Sequence, residues 1–302
     1  MFKRKGLTLS LMIVLIVSLV AVGCGDGNGE GEVPGDASEE SVVDKFDGQI
    51  TGIDAGAGVM GAAEDAIEEY GLDMELVESS DAAMTASLQR AYENEEYIVV
   101  TGWAPHWKFA DFDLKFLEDP KEVFGGEETI NTITRKDFAA DHPEVNQFLE
   151  NYYLSPEELA SAIGMMEEID DRDEAAQTWI EENQDLVDGW LEGTELNGSG
   201  EVTITYVEWA CATASTYVVK NILEDAGYDV EVDALQAGAM WQGVASGAAD
   251  FLLAAWLPGT HESYYEDYSD EVVDLGPNYE GAAIGLVVPE YVEIDSIEDL
   301  VE

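Results

Sequence analysis

The chain has 302 residues, 46% of them hydrophobic and 10% aromatic, and carries 66 Asp and Glu against 12 Lys and Arg, for a formal charge of −54. That apolar content excludes a chain too polar to fold, and so much negative charge excludes nucleic acid, whose phosphates would be repelled. Carboxylates at this density with few Lys read as a halophile's surface, folded where high salt screens self-repulsion.

At the start, Lys3, Arg4 and Lys5 precede an apolar run from Leu7 to Val22 that closes on Ala21-Val22-Gly23-Cys24. This is a lipoprotein export signal over 1–23 with a lipobox-like cleavage site, which makes Cys24 the lipid carrier. Cys211 is then without a partner, so a disulfide framework is excluded, and it reads as a small buried residue. Residues 24–46 are rich in Gly and acid and are expected to be a flexible tether. No second long apolar segment follows. The expectation is an extracytoplasmic body held by lipid to the outer face of the cell membrane.

From Ile50 to Asp54 the pattern is a strand. A Gly-rich turn, Ala55-Gly56-Ala57-Gly58, then opens a helix that runs to Tyr70 and stops at Gly71. A strand at Met74–Val77, a helix from about Ala82 to Tyr92 and a strand ending at Trp103 continue the alternation, which means parallel strands in βαβ units. Leu114–Leu117 and Thr129–Thr134 are further strands. His142 to Leu191 reads as helical throughout, with Ser155-Pro156-Glu157-Glu158 as a capped start. After a polar connection at 192–201 the pattern restarts: strand Val202–Trp209, helix Ser215–Asp225, strand Tyr228–Val232, helix Met240–Ser246 and strand Asp250–Trp256.

The second half repeats the first. Glu69-Tyr70-Gly71-Leu72-Asp73-Met74-Glu75-Leu76 aligns with Asp225-Ala226-Gly227-Tyr228-Asp229-Val230-Glu231-Val232, and Asp113-Leu114-Lys115-Phe116-Leu117 resembles Glu271-Val272-Val273-Asp274-Leu275. Two such units predict two α/β lobes, 47–191 and 202–302, facing each other across a cleft. Open α/β sheets hold ligands at the carboxyl ends of their strands.

Trp103, Trp209 and Trp256 each end an apolar strand just before a loop. Any one alone would be core; at equivalent places in two lobes they make a box. Indole faces suit a cation with no hydrogen to donate, a quaternary ammonium. Trp179 and Trp190 lie among apolar helix residues and read as core, as do Trp107 and Trp241. The turn at Gly58-Val59 offers free amides at the positive end of a helix dipole, where a carboxylate would sit. No phosphate-loop Lys-Ser/Thr follows it, which disfavours nucleotide. Of the three His, His142 caps a helix, His261 is the candidate donor to the ligand's carboxylate, and His106 its structural counterpart. No His or Cys pair has metal-ligand spacing, so neither metal nor cofactor is expected.

From about Asp47 onward the chain resembles the glycine betaine and proline betaine substrate-binding proteins of ABC importers. The resemblance is carried by Val100-Thr101-Gly102-Trp103-Ala104-Pro105-His106-Trp107, Ala255-Trp256-Leu257-Pro258-Gly259-Thr260-His261, Asp274-Leu275-Gly276-Pro277-Asn278-Tyr279 and Val287-Val288-Pro289-Glu290-Tyr291-Val292. It implies a two-lobed, type II-like periplasmic-binding-protein fold that closes on a betaine and passes it to the importer's permease subunits, with no chemistry done on the ligand. Trp103, Trp209 and Trp256 would match the family's aromatic prism, His261 its carboxylate donor, and Gly58 with Val59 its backbone amides. The family is also circularly permuted among its members; in the other order, Ile294 to Leu300 would run on into Gly48-Gln49-Ile50. Cys211-Ala212-Thr213 and Ala55 depart from the family's pattern, and preference among glycine betaine, proline betaine, choline and carnitine stays open. Two other readings compete: an enzyme acting on choline derivatives, for which Cys211 is the tempting nucleophile, and a surface adhesion or sensory lipoprotein with no enclosed Trp cleft.

Overall fold

The computed structural model describes residues 41–301. The export signal, Cys24 and most of the expected tether lie outside those residues.

Helix α1 (Val42–Lys45) is capped by the Ser41 hydroxyl, which accepts from the Asp44 N–H, and it buries Val43. With Phe46, Val43 joins the main core. Residues 42–46, expected to belong to the tether, are instead part of the folded body, because Val42, Val43 and Phe46 supply an apolar face among the acids. Strands β1 (Gln49–Thr51), β2 (Glu75–Val77) and β3 (Val100–Ala104) pair in parallel, joined by helices α2 (Gly58–Tyr70) and α3 (Asp81–Glu93). Gly71 ends α2 at φ 70°, a left-handed conformation that Gly adopts without the steric cost of a side chain. Helix α4 (Lys108–Asp111), strand β4 (Leu114–Phe116) and strand β5 (Glu128–Arg135) follow.

Next come five helices: α5 (Phe138–Asp141), α6 (Pro143–Asn151), α7 (Pro156–Glu168), α8 (Arg172–Glu182) and α9 (Gln184–Trp190). The stretch expected to be one helical run is thus divided. Ser155 and Glu158 form a full capping box on α7, and Asp171 caps α8 by accepting from Asp173 and Glu174; each new cap marks a new helix. The second unit is β6 (Glu201–Tyr206), α10 (Ala210–Asp225), β7 (Asp229–Ala234), α11 (Ala237–Ala245) and β8 (Phe251–Leu257). Helix α12 (Glu262–Tyr268) leads into β9 (Val272–Pro289), and a 3₁₀ turn at Ile297–Leu300 touches α1.

The strands run in the order β2-β1-β3-β9-β5-β8-β6-β7, with β4 also on β9. Strand β9 is shared. Its first part, to Ala282, pairs antiparallel with β5, and its last, from Ala283, pairs with β3 and β4. Each half of the sheet is thereby a lobe, one around β1 to β4 and the other around β5 to β8. This partition differs from a break at 192–201: β5 bonds to β8, a strand of the second repeat, and the end of β9 returns to the first. A long antiparallel strand can cross between halves where a βαβ unit cannot. Contacts are continuous between the halves, so 40–302 forms one unit.

Candidate functional site

Three strand ends place the indoles. β3 delivers Trp103 opposite Ile284 of β9. β8 is buried along its whole length and carries Trp256 near its end. The loop after β6 sets Trp209 in extended conformation at the N-cap of α10. Trp103, Trp209 and Trp256 line one small cavity together with Gly58, Val59 and Ile284. The Trp103 and Trp209 ring centroids are 6.4 Å apart and their planes inclined by 51°, so the rings form converging walls and not a stack. The peptide bonds before Pro105 and Pro258 are both cis.

Gly58 and Val59 open α2, whose N-cap, Ala57, makes no side-chain cap bond. The first amides of the helix are consequently free for a ligand at the positive end of its dipole. Gly58 lies against Thr260 of the other lobe, where a β-carbon would collide with the Thr260 carbonyl oxygen. Tyr264 also crosses between lobes, its hydroxyl donating to the Gly56 carbonyl at 2.8 Å.

His261 is completely buried, and its ring stands 5.8 Å from that of Trp209. Its Nδ1 accepts from the Trp256 backbone N–H at 3.2 Å and from the Trp241 indole N–H at 3.3 Å. Two donors on Nδ1 leave the proton on Nε2, and Nε2 has no partner among the described residues. Burial pushes the pKa of His261 down to about 3, so the ring is neutral. An unpartnered buried N–H is costly, and an anionic oxygen would satisfy it. The Trp103 and Trp256 indole nitrogens also lack partners.

His106 does different work. Its Nε2 meets Asp81 Oδ1 at 3.0 Å and its Nδ1 accepts from the Lys108 N–H at 3.1 Å, while Asp81 Oδ2 accepts from the Ala210 N–H of the other lobe at 3.3 Å. Burial lowers the pKa of His106, against the pull of Asp81. Glu128, 5% exposed, accepts from the Gly259 and Thr260 amides at 2.7 Å each and from the Thr260 hydroxyl. It holds the loop between Trp256 and His261. Burial, with Asp81 nearby, pushes the Cys211 thiol up to about 12, which leaves it protonated and a poor nucleophile.

The structure thus gathers Gly58, Val59, Trp103, Trp209 and Trp256 around one space and sets His261 beside Trp209. Cys24 falls outside the described residues. Trp241, read from sequence as packing, turns out to fix the His261 tautomer. Glu128 and Ile284 also escaped the sequence: each acts through a partner more than a hundred residues away, and their own neighbours carry no signature; Thr260 stands inside the quoted 255–261 motif but was given no role of its own.

Residues 34–182 and 200–302 match the family described as the substrate binding domain of ABC-type glycine betaine transport system. The chain is 48% identical over 255 residues to the glycine betaine/carnitine transport binding protein GbuC of Listeria monocytogenes, covering 83% of this chain and 85% of that one. Among solved structures, lactococcal OpuAC in a closed, liganded conformation with glycine betaine is 38% identical, with a TM-score of 0.46 over 51% of this chain and 62% of that one. An ABC-transporter choline binding protein in complex with choline is 26% identical, with a TM-score of 0.45 over 58% and 61%. The chain therefore spans about three fifths of those two solved chains.

Proposed function

Since this chain belongs to the family of substrate binding domains of ABC-type glycine betaine transport systems, we propose that its cavity captures glycine betaine and presents it to the permease of an importer. The observation that carries the reading is one cavity bounded by Trp103, Trp209 and Trp256, with an unpartnered Nε2–H on the His261 ring, 5.8 Å from the ring of Trp209. The trimethylammonium sits among the indole faces. The carboxylate takes the His261 Nε2–H and the amides of Gly58 and Val59.

Magnitudes require both ends of the ligand. Each indole face contributes about 0.5 to 2 kcal/mol to a desolvated cation, whereas micromolar affinity needs about 8 kcal/mol. Hydrogen bonds to a charged oxygen, at about 1.5 to 3 kcal/mol each, supply the remainder. The ligand bridges the lobes, since Trp103, Gly58 and Val59 belong to one and Trp209, Trp256 and His261 to the other. Binding energy thereby becomes closure energy. Burial keeps the Cys211 thiol protonated and a poor nucleophile, which supports reading the protein as one that binds its ligand without turning it over. Cys24 carries the lipid that holds it on the outer face of the membrane. Carnitine shares the trimethylammonium and carboxylate, and the name of the Listeria relative pairs it with glycine betaine; it is the second ligand to assay.

The test is a Trp-fluorescence titration at molar salt with glycine betaine, carnitine, choline and proline, repeated on Trp256→Ala. A saturable response to glycine betaine that the variant loses is expected. A response to proline with none to any quaternary ammonium refutes the substrate.

A further inference from the structure

Lys108 opens α4 and is completely buried. Its ammonium stands 4.1 Å from the centroid of the Trp103 ring and 5.5 Å from that of Phe109, and Nζ has no hydrogen-bond partner among the described residues. Among those residues no other Lys or Arg stands over Trp103, Trp209 or Trp256. The titratable groups that face it are Asp81 of α3, His106 of the preceding loop and Cys211 of α10. Asp81 is already engaged by His106 and the Ala210 amide, the Cys211 thiol is protonated, and burial disfavours the charged form of His106. A positive charge thus lies on one wall of a box proposed to take a positive charge.

We propose that Lys108 makes the site selective for zwitterions: its ammonium against Trp103 disfavours a ligand of net positive charge, such as choline, more than one whose trimethylammonium is balanced by a carboxylate. This rests on the functional reading above. Lys108 and a bound trimethylammonium draw on the same indole quadrupole. They also repel: at an effective dielectric of about 20, two unit charges within about 10 Å of each other cost roughly tenfold or more in affinity. The carboxylate of a betaine, itself attracted to Lys108, offsets most of that; choline has no such offset. The opposing influence is the chain's formal charge of −54, which draws any cation toward the surface. A local cation beside the prism restores discrimination.

Burial pushes the pKa of Lys108 down to about 7, against the pull of Asp81. Selectivity should therefore fall as pH rises through that value. The experiment measures dissociation constants for glycine betaine and choline by calorimetry at about pH 6 and about pH 8.5, either side of that pKa, on the wild type, Lys108→Arg and Lys108→Met. The wild-type ratio of choline to betaine dissociation constants should be roughly tenfold larger at the acid pH. Lys108→Arg should keep the larger ratio at both, and Lys108→Met the smaller at both. Each variant must show a wild-type circular dichroism spectrum and a cooperative melt; Lys108→Gln replaces Lys108→Met if it does not. A neutral variant that keeps the wild-type ratio at acid pH overturns the role of Lys108. Failure of the wild type to bind betaine at either pH would instead sink the functional reading.

Discussion

Gly58 and Thr260 meet across the two lobes so closely that no β-carbon fits between the first residue of α2 and the Thr260 carbonyl. The same Gly58 lines the cavity beside the three indoles, so its lack of a side chain serves closure more than local backbone geometry. Gly58→Ala should weaken glycine betaine binding at least tenfold. It should also lower the melting temperature of the free protein, because the oxygen that the new methyl meets is backbone, which cannot move aside as a flexible side chain would. Calorimetry and thermal melts on one sample separate the two effects; wild-type affinity in the variant would show that the lobes do not need this contact.

Trp241 lies outside the cavity, yet its indole N–H helps to fix the proton of His261 on Nε2. Trp241→Phe keeps an aromatic ring in the core and removes that donor. Glycine betaine affinity should drop by roughly three- to tenfold, the range expected when one neutral hydrogen bond worth about 1 kcal/mol is lost. A quaternary ammonium without a carboxylate should bind as it does to the wild type. Equal losses for both ligands would assign Trp241 to packing alone.

His261 gives the fold a pH dependence of known sign. Its pKa falls from 6.5 to about 3 on burial, so between those values the unfolded chain binds a proton that the native chain refuses. Stability contributed by the neutral ring is complete above the unfolded pKa and declines as pH falls through that window. At about 1.4 kcal/mol per pH unit, the wild type should lose roughly 2 kcal/mol more than His261→Gln between neutral pH and pH 5. Urea denaturation of both proteins at several pH values measures the difference. His106 titrates in both and cancels.

The surplus of carboxylates sets the salt dependence. Screening over about 10 Å at 0.1 M salt shortens to about 3 Å at 1 M, so self-repulsion among 66 acidic residues is relieved mainly at high salt. The melting temperature should rise steadily from dilute buffer to molar sodium chloride, with loosening below roughly 0.5 M. A melting temperature independent of salt would separate this composition from stability.

The repeat and the strand-end Trp were legible because they are written locally. An apolar run, Trp, one residue and Pro occur at Trp103 and again at Trp256, and α2 ends at the Gly71 that marked it. β9 was not legible as one strand. Gly, Pro and Asn are the residues that ordinarily make turns, yet Gly276-Pro277-Asn278 and Gly281 lie within the strand, with Gly276 and Gly281 at φ of 95° and 90°, where its register against β5 shifts. Bulges absorb residues that ordinarily end a strand. Without β9, the one pointer back to the first lobe was the resemblance that joins Ile294–Leu300 to Gly48–Ile50, and the division was drawn at the polar connection after Leu191. The start of α10 was set late for a related reason: Ala210 to Ala214 carries no charge pattern, and the helix there is fixed by burial against its neighbours.

The most direct measurement is a crystal structure of the protein with glycine betaine. The ligand nitrogen should lie among the rings of Trp103, Trp209 and Trp256, with the carboxylate within hydrogen-bond distance of His261 Nε2 and the amides of Gly58 and Val59. Betaine bound elsewhere, or held in the reverse orientation with its carboxylate toward the indoles, would contradict the assignment of the site.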